Sequence, residues 1–186
     1  MDAATVIRWP GMSDVESGLL PLFEYWQARA PDGVAAPVGR IDPLRLPAAM
    51  LPWLFLVERT VGADDYRFRL IGTGICDFLG RDMTGRRVSE IPYPAPVREF
   101  IEHAYPVVMD EAIPVAFSHD TRWLDGAMIE TRGLLLPAST NGSAVDRILG
   151  GLISAGLREP RESLLRRWIL SRGDGGRGGG GLGTLP

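Results

Sequence analysis

The sequence predicts an α+β domain: a five-stranded antiparallel sheet with short helices on one face, plus N-terminal and C-terminal flanking helices. Three observations lead there. Asp125-Gly126 and Asn141-Gly142 separate apolar runs, and both pairs mark hairpin turns because their residues tolerate positive φ. In "YRFRLIG" (66–72), Tyr66, Phe68 and Leu70 alternate with Arg67 and Arg69, the period of a half-buried strand. The central helical patterns lie between an early pair of strands and a late trio, an arrangement that sets helices beside an antiparallel sheet.

Taken in order, residues 1–14 read as a flexible N-terminus and 15–30 as a flanking helix. In that helix Leu19, Leu22, Phe23 and Trp26 share one apolar face, and Pro21 sits in the first turn, where its missing N–H costs little. The domain proper is expected over 31–157. It opens with a loop (31–52) that carries five prolines and has room for one helical turn. "WLFLVERT" (53–60) and "YRFRLIG" form a first hairpin around "VGADD" (61–65). Residues 74–80 read as a short helix, 81–94 as a loop, and 96–111 as a helix with Phe100, Ala104 and Val107 or Val108 on one stripe. Pro106 is expected to bend or end that helix. Strands over 113–124, 127–137 and 147–157 complete a meander. "REPRESLLRRWILSR" (158–172) reads as a basic amphipathic helix whose Leu164, Leu165, Trp168 and Ile169 suit docking or oligomerisation. The glycine-rich 173–186 cannot build a core and reads as a disordered tail.

Composition narrows the chemistry. The chain has 186 residues, 45% of them hydrophobic and 23% charged, as in an ordinary globular protein. A net charge of −3 gives no reason to expect nucleic acid. All 20 basic residues are Arg; without Lys there is neither Schiff-base chemistry nor a Walker-type phosphate lysine. The single cysteine, Cys76, cannot form an internal disulfide and fits a reducing compartment. "MDAATVIRWPGMSD" lacks the basic and apolar regions of a secretory signal. "AAMLPWLFLV" (48–57) is too short to span a membrane, so a cytoplasmic protein is expected.

Strand, Gly72-Thr73-Gly74 and helix in succession have the layout of a phosphate-binding loop. A dinucleotide fingerprint, however, needs a third glycine where Asp77 stands, and a parallel βαβ unit where this sequence has a hairpin. Gly72 and Gly74 therefore read as residues that turn the chain from strand into helix. The same stretch, "RFRLIGTGICDFLGRDMTGRRVSEI" (67–91), resembles a bacterial PAS-like family in which a G-T element is followed by G-R-D-x-T-G. The resemblance extends through "YWQARAPDGVAAPVGRIDP" (25–43), "LPWLFLVE" (51–58), "LLLPAS" (134–139) and "RILGGL" (147–152), so it covers residues 20–155. It implies a five-stranded antiparallel sheet, a sensory or protein-contact role in bacterial signalling, and no catalytic activity.

No functional residue set transfers from the family, so each candidate is weighed on its own chemistry. A ligand pocket is expected between the sheet and the helices of 74–80 and 96–109, with Phe100, Tyr105 and Trp123 as lining residues. Cys76, in "CDFLG", resembles the cysteine stretch of flavin-binding photosensor PAS domains but lacks their Asn-Cys-Arg context; it reads as a small hydrophobe. His103 lies on the helix where haem-binding relatives keep their ligand, but a lone histidine does not define a haem site. No flavin, haem or metal is expected, because two histidines and one distant cysteine make a poor zinc set. His119-Asp120 reads as a solvated pair. In "GRDMTGRR" (80–87), Asp82 and Thr84 are expected to hold a turn, in preference to an anion site at Arg81, Arg86 and Arg87. With no segment assigned to a kinase, cyclase or DNA-binding output, the signal is expected to leave through a protein partner or a homodimer formed by Leu19, Leu22, Phe23 and Trp26. The competing readings are a small α+β enzyme with an Asp or His base, and a purely structural dimer.

Overall fold

The computed structural model describes residues 5–8, 10–30, 34–62, 65–122, 128–142 and 144–155. Trp123, the Asp125-Gly126 turn, the C-terminal helix and the glycine-rich tail lie outside them. The strands are β1 (Thr5–Arg8), β2 (Ala36–Pro37), β3 (Leu54–Arg59), β4 (Tyr66–Ile71), β5 (Val115–Arg122), β6 (Met128–Ser139) and β7 (Arg147–Ala155). The helices are α1 (Leu20–Gln27), α2 (Thr73–Leu79) and α3 (Ala95–Asp110).

Six strands run in the order β1-β5-β6-β7-β3-β4, each antiparallel to its neighbour. The expected five form the body of this sheet. The first hairpin and the later meander join where β7 pairs with β3, with Phe55 opposite Gly150 and Glu58 opposite Arg147. An ion pair of 2.8 Å between Arg147 Nη2 and Glu58 Oε2 reinforces that register. Two further strands were not expected. β1 lies within the segment read as a flexible N-terminus and pairs with β5 from Thr5↔Ser118 to Arg8↔Val115. The two-residue β2 pairs in parallel with Ala138 and Ser139 at the end of β6, beyond the reach of β5.

β4 departs from strict alternation. Leu56 pairs with Leu70 but Val57 pairs with Phe68, so Arg69 is an extra residue and the strand bulges. Beyond it the facing reverses: Ile71 is buried, whereas Leu70, expected inside, is 40% exposed.

Both faces of the sheet are covered. α2 and α3 pack on one, over Phe55, Val57, Phe68, Phe117, Leu135 and Ile148. α3 does not stop at Pro106. The side chains of Ala104, Tyr105, Val108 and Met109 are buried on both sides of the proline, and their packing outweighs the lost backbone bond. The helix ends at Asp110, and Ala112 follows with φ 55°, the only non-glycine residue at positive φ among those described.

α1 and several 3₁₀ turns cover the opposite face, against Leu54, Ala116, Leu134, Leu136 and Leu149. This corrects the expectation that α1 is an association surface. Leu19, Leu22, Phe23 and Trp26 are 2%, 0%, 2% and 2% exposed within a single chain, so their apolar face is already spent on the sheet. Trp26 Nε1 donates to the carbonyl of Pro137 in β6 at 2.8 Å, and the Phe23 and Trp26 rings stack with centroids 6.0 Å apart. The homodimer face proposed from sequence is an intramolecular cap.

Gly72 and Gly74 serve close packing. Gly72 has φ −68° and ψ 151°, a conformation open to any residue. A Cβ there would lie 2.2 Å from the carbonyl oxygen of Pro52, and one at Gly74 would lie 2.9 Å from the Trp53 ring. The 3₁₀ turn Ala48–Trp53 packs directly against both glycines.

Candidate functional site

A cavity of about 100 Å³ lies between the sheet and α2 and α3. Phe100 and Tyr105 of α3 line it, together with Val97 and Ile101; α2 contributes Ile75, Phe78 and Leu79. Tyr93 enters from the loop before α3. The third residue expected there, Trp123, lies outside the described residues.

The sheet side of the cavity is aromatic, and its geometry follows from cross-strand pairing. Phe55 on β3 faces Gly150 on β7, and Phe117 on β5 faces Gly133 on β6. In each pair the ring lies over the bare glycine: a Cβ at Gly150 would meet Phe55 Cζ at 2.0 Å, and one at Gly133 would meet Phe117 Cζ at 2.2 Å. Any larger residue at 133 or 150 would drive its partner ring toward the helices. The rings then pack edge and face with their neighbours, Phe55 with Phe68 at 6.3 Å and Phe117 with Phe100 at 4.4 Å between centroids.

At one end this apolar lining gives way to polar atoms. His119, Thr131 and Ser154 line the cavity. They occupy one row across three strands, since His119 pairs with Thr131 and Thr131 with Ser154. His119 Nδ1 lies 2.9 Å from Thr121 Oγ1, and Ser154 Oγ donates to the Glu130 carbonyl at 2.9 Å. The imidazole stacks on Phe117, with centroids 5.7 Å apart and planes inclined by 15°. Burial pushes the His119 pKa below its usual value, against a smaller opposing pull from Asp120, and so favours the neutral ring. Burial likewise pushes the Tyr93 and Tyr105 phenols up, so both remain neutral O–H groups.

His119 corrects the expectation of a solvated His119-Asp120 pair. Asp120 is exposed, but His119 shares the inward parity of Val115, Phe117 and Thr121 on β5. The signal for it in the sequence is the alternation of "VAFSHDT", which carries inward parity past the apolar residues to His119. Thr131 and Ser154 carry no comparable signal, because their place in the row depends on strand register.

The remaining candidates lie elsewhere. His103 is exposed on α3, its Nδ1 2.6 Å from the Glu99 carbonyl, and is not among the lining residues. Cys76 is half-buried at the edge of the core, 3.8 Å from Asp82 Oδ1; burial pushes its thiol up, away from the reactive thiolate. Asp82 Oδ1 accepts from the Thr84 N–H at 2.8 Å, which closes the turn of "GRDMTGRR" as a side-chain-to-backbone motif. Arg81, Arg86 and Arg87 are exposed around it. Among the described residues no group of three His, Cys, Asp or Glu is placed to hold a metal ion.

A family model described as PAS domain matches residues 15–153, most of the chain. The chain belongs to the PAS domain family. The match begins before α1 and ends within β7, so it includes the helical cap, four of the five expected strands with most of the fifth, and every described residue that lines the cavity except Ser154. PAS domains as a class are sensory and signalling modules, and the antiparallel sheet with its flanking helices has their architecture. Among solved structures, one titled "Structure of an RNA-binding Light-Oxygen-Voltage Receptor" is similar at 14% sequence identity and a TM-score of 0.45. The alignment covers 95% of this chain and 45% of that one, so this chain spans less than half the length of the receptor. No curated protein matches the sequence. Among the described residues, no helix of this PAS domain is long and apolar enough to cross a membrane.

Proposed function

We propose that this PAS domain is a non-catalytic sensory module that holds a small ligand in the cavity between its sheet and α2 and α3. In this reading it works in bacterial signalling, in the cytoplasm, and passes its signal on by contact with another protein. One observation carries the proposal: a cavity with an apolar lining ends in a row of three polar side chains, His119, Thr131 and Ser154. Binding sites for small molecules have this composition, an apolar wall with a few polar groups that fix orientation.

The enzyme alternative is less well supported by the same geometry. A histidine base needs an orienting carboxylate and an acid or nucleophile within reach. The Nδ1 partner of His119 is the Thr121 hydroxyl, and among the described residues lining the cavity there is no Asp or Glu.

Native mass spectrometry of the full chain, purified without denaturation, tests the proposal. A small molecule retained in stoichiometric amount and released on denaturation supports it. A single apo mass, together with a melting temperature unmoved by any member of a panel of small apolar molecules, counts against a ligand-sensing role.

A further inference from the structure

The lining of the cavity also restricts what can occupy it. Volume is the first restriction. At about 100 Å³ the space is below the range of roughly 300–1,000 Å³ used by drug-sized ligands. It is nearer the scale of about 150 Å³ at which a dry engineered cavity takes up one benzene. A single small ring matches that volume better than a dinucleotide, flavin or haem does.

Charge is the second restriction. Among the described lining residues there is no Arg, Asp or Glu, and the sequence has no Lys. An ionised ligand would give up its water with no counter-charge to replace it, which is among the largest penalties a buried site imposes. Neutral occupants are favoured.

Shape and polarity supply the rest. Aromatic side chains dominate the wall, Phe55, Phe78, Phe100 and Phe117 among them, and a flat ring packs by edge or face against such a lining. At the polar end, Thr121 engages His119 Nδ1, which leaves Nε2 as the ring's second polar atom. Whichever tautomer the Thr121 contact sets, Nε2 either donates or accepts. A hydroxyl can do both, so it satisfies either tautomer. Ser154 Oγ already donates to the Glu130 carbonyl and keeps its lone pairs for an incoming O–H.

We infer that the cavity selects a neutral, single-ring aromatic molecule bearing one hydroxyl, a phenol-type ligand, with its ring against Phe55 and Phe117 and its hydroxyl at the His119–Thr131–Ser154 row. The inference rests on the ligand-binding reading above and specifies the ligand class.

The test is a titration of the full chain with three probes: phenol, benzene and benzoate. NMR shifts of the cavity methyl groups of Ile75, Ile129 and Leu135 report occupancy. Phenol is expected to bind saturably and about ten-fold tighter than benzene, the worth of one net hydrogen bond, while benzoate leaves the methyl signals unmoved. In His119→Phe the preference for phenol over benzene should fall toward one while benzene still binds. Thr131→Val, which conserves volume, should reduce the preference without removing benzene binding, and it decides the matter if His119→Phe does not fold. Equal binding of phenol and benzene to the wild type, tightest binding by benzoate, or an undiminished phenol preference in Thr131→Val would overturn the inference and leave a ligand cavity of another specificity. Failure of both neutral probes to shift the methyl signals would overturn the ligand-binding reading itself.

Discussion

Leu22→Ala measures how much of this domain's stability comes from α1 closing over the sheet. Leu22 is fully buried, and its Cδ2 would lie 2.5 Å from a Cβ at Gly151. Gly151 beneath it has no side chain to fill the vacated space, and the neighbouring Leu19 and Leu54 are themselves buried and packed, so the site collapses only in part. Truncating a buried leucine costs about 2–5 kcal/mol, and sites that cannot collapse lie toward the upper part of that range. A loss of about 3–4 kcal/mol is expected here. At roughly 2–4 °C per kcal/mol for a chain of this size, the midpoint should fall by about 10 °C. The assay is thermal and urea unfolding followed by tryptophan fluorescence, at two protein concentrations a hundred-fold apart. If α1 is an intramolecular cap, the wild-type midpoint is the same at both. A loss below about 1 kcal/mol would refute the tight packing of Leu22 on the sheet, and a wild-type midpoint that rises with concentration and stops doing so in Leu22→Ala would show that the α1 face is shared between copies and refute the cap.

Three further outcomes are expected. Gly72→Ala should destabilise by about 3 kcal/mol or more, above the usual overpacking cost, because the new methyl meets the backbone of Pro52, which cannot turn aside; urea midpoints will show it, and a near-neutral result would contradict the close approach. Ala112→Gly should raise the melting temperature by a few degrees at most, since glycine relieves about 1–2 kcal/mol of left-handed strain at φ 55° and returns part of it as unfolded-state entropy. The folded-state pKa of His119 is depressed below the usual 6.5, so at lower pH the unfolded chain takes up the proton first. Stability should therefore be full above about pH 6.5, decline as pH falls toward the folded value and then level off; His119→Phe should lack this limb, while the separate loss from Asp82, whose carboxyl is held low by the Thr84 N–H, begins only at more acid pH.

The strands of the central sheet were legible because their alternation and turn residues are local signals. The bulge in β4 was not, because Arg69 is an ordinary member of the pattern until the register with β3 shows it to be extra. Four apolar residues on one helical face announced the buried side of α1 but could not name what covers it, since a neighbouring sheet and a second copy offer the same shelter from water. Chain-local rules expected Pro106 to bend or end the helix; the packing of Val108 and Met109 beyond it is tertiary and carries the helix on to Asp110. In the candidate site, Phe100 and Tyr105 were readable from helix periodicity, and His119 from strand parity. Thr131 and Ser154 became neighbours of His119 only through the pairing of strands distant in sequence.

The glycines at 150 and 151 look like an interruption in "RILGGLISA", yet they thin the sheet at its centre. On one side the Phe55 ring rests on Gly150; on the other Leu22 presses on Gly151. Between that ring and Leu22, β7 contributes peptide planes and no side chain. Peptide planes resist deformation far more than rotamers do. Lifting or tilting the Phe55 ring therefore loads the backbone under Leu22 with little slack to absorb it, and a shift of α1 loads the floor of the cavity in return. The least decorated stretch of the sheet thus sets a ring of the cavity floor and a side chain of the helical cap against the same two residues of backbone.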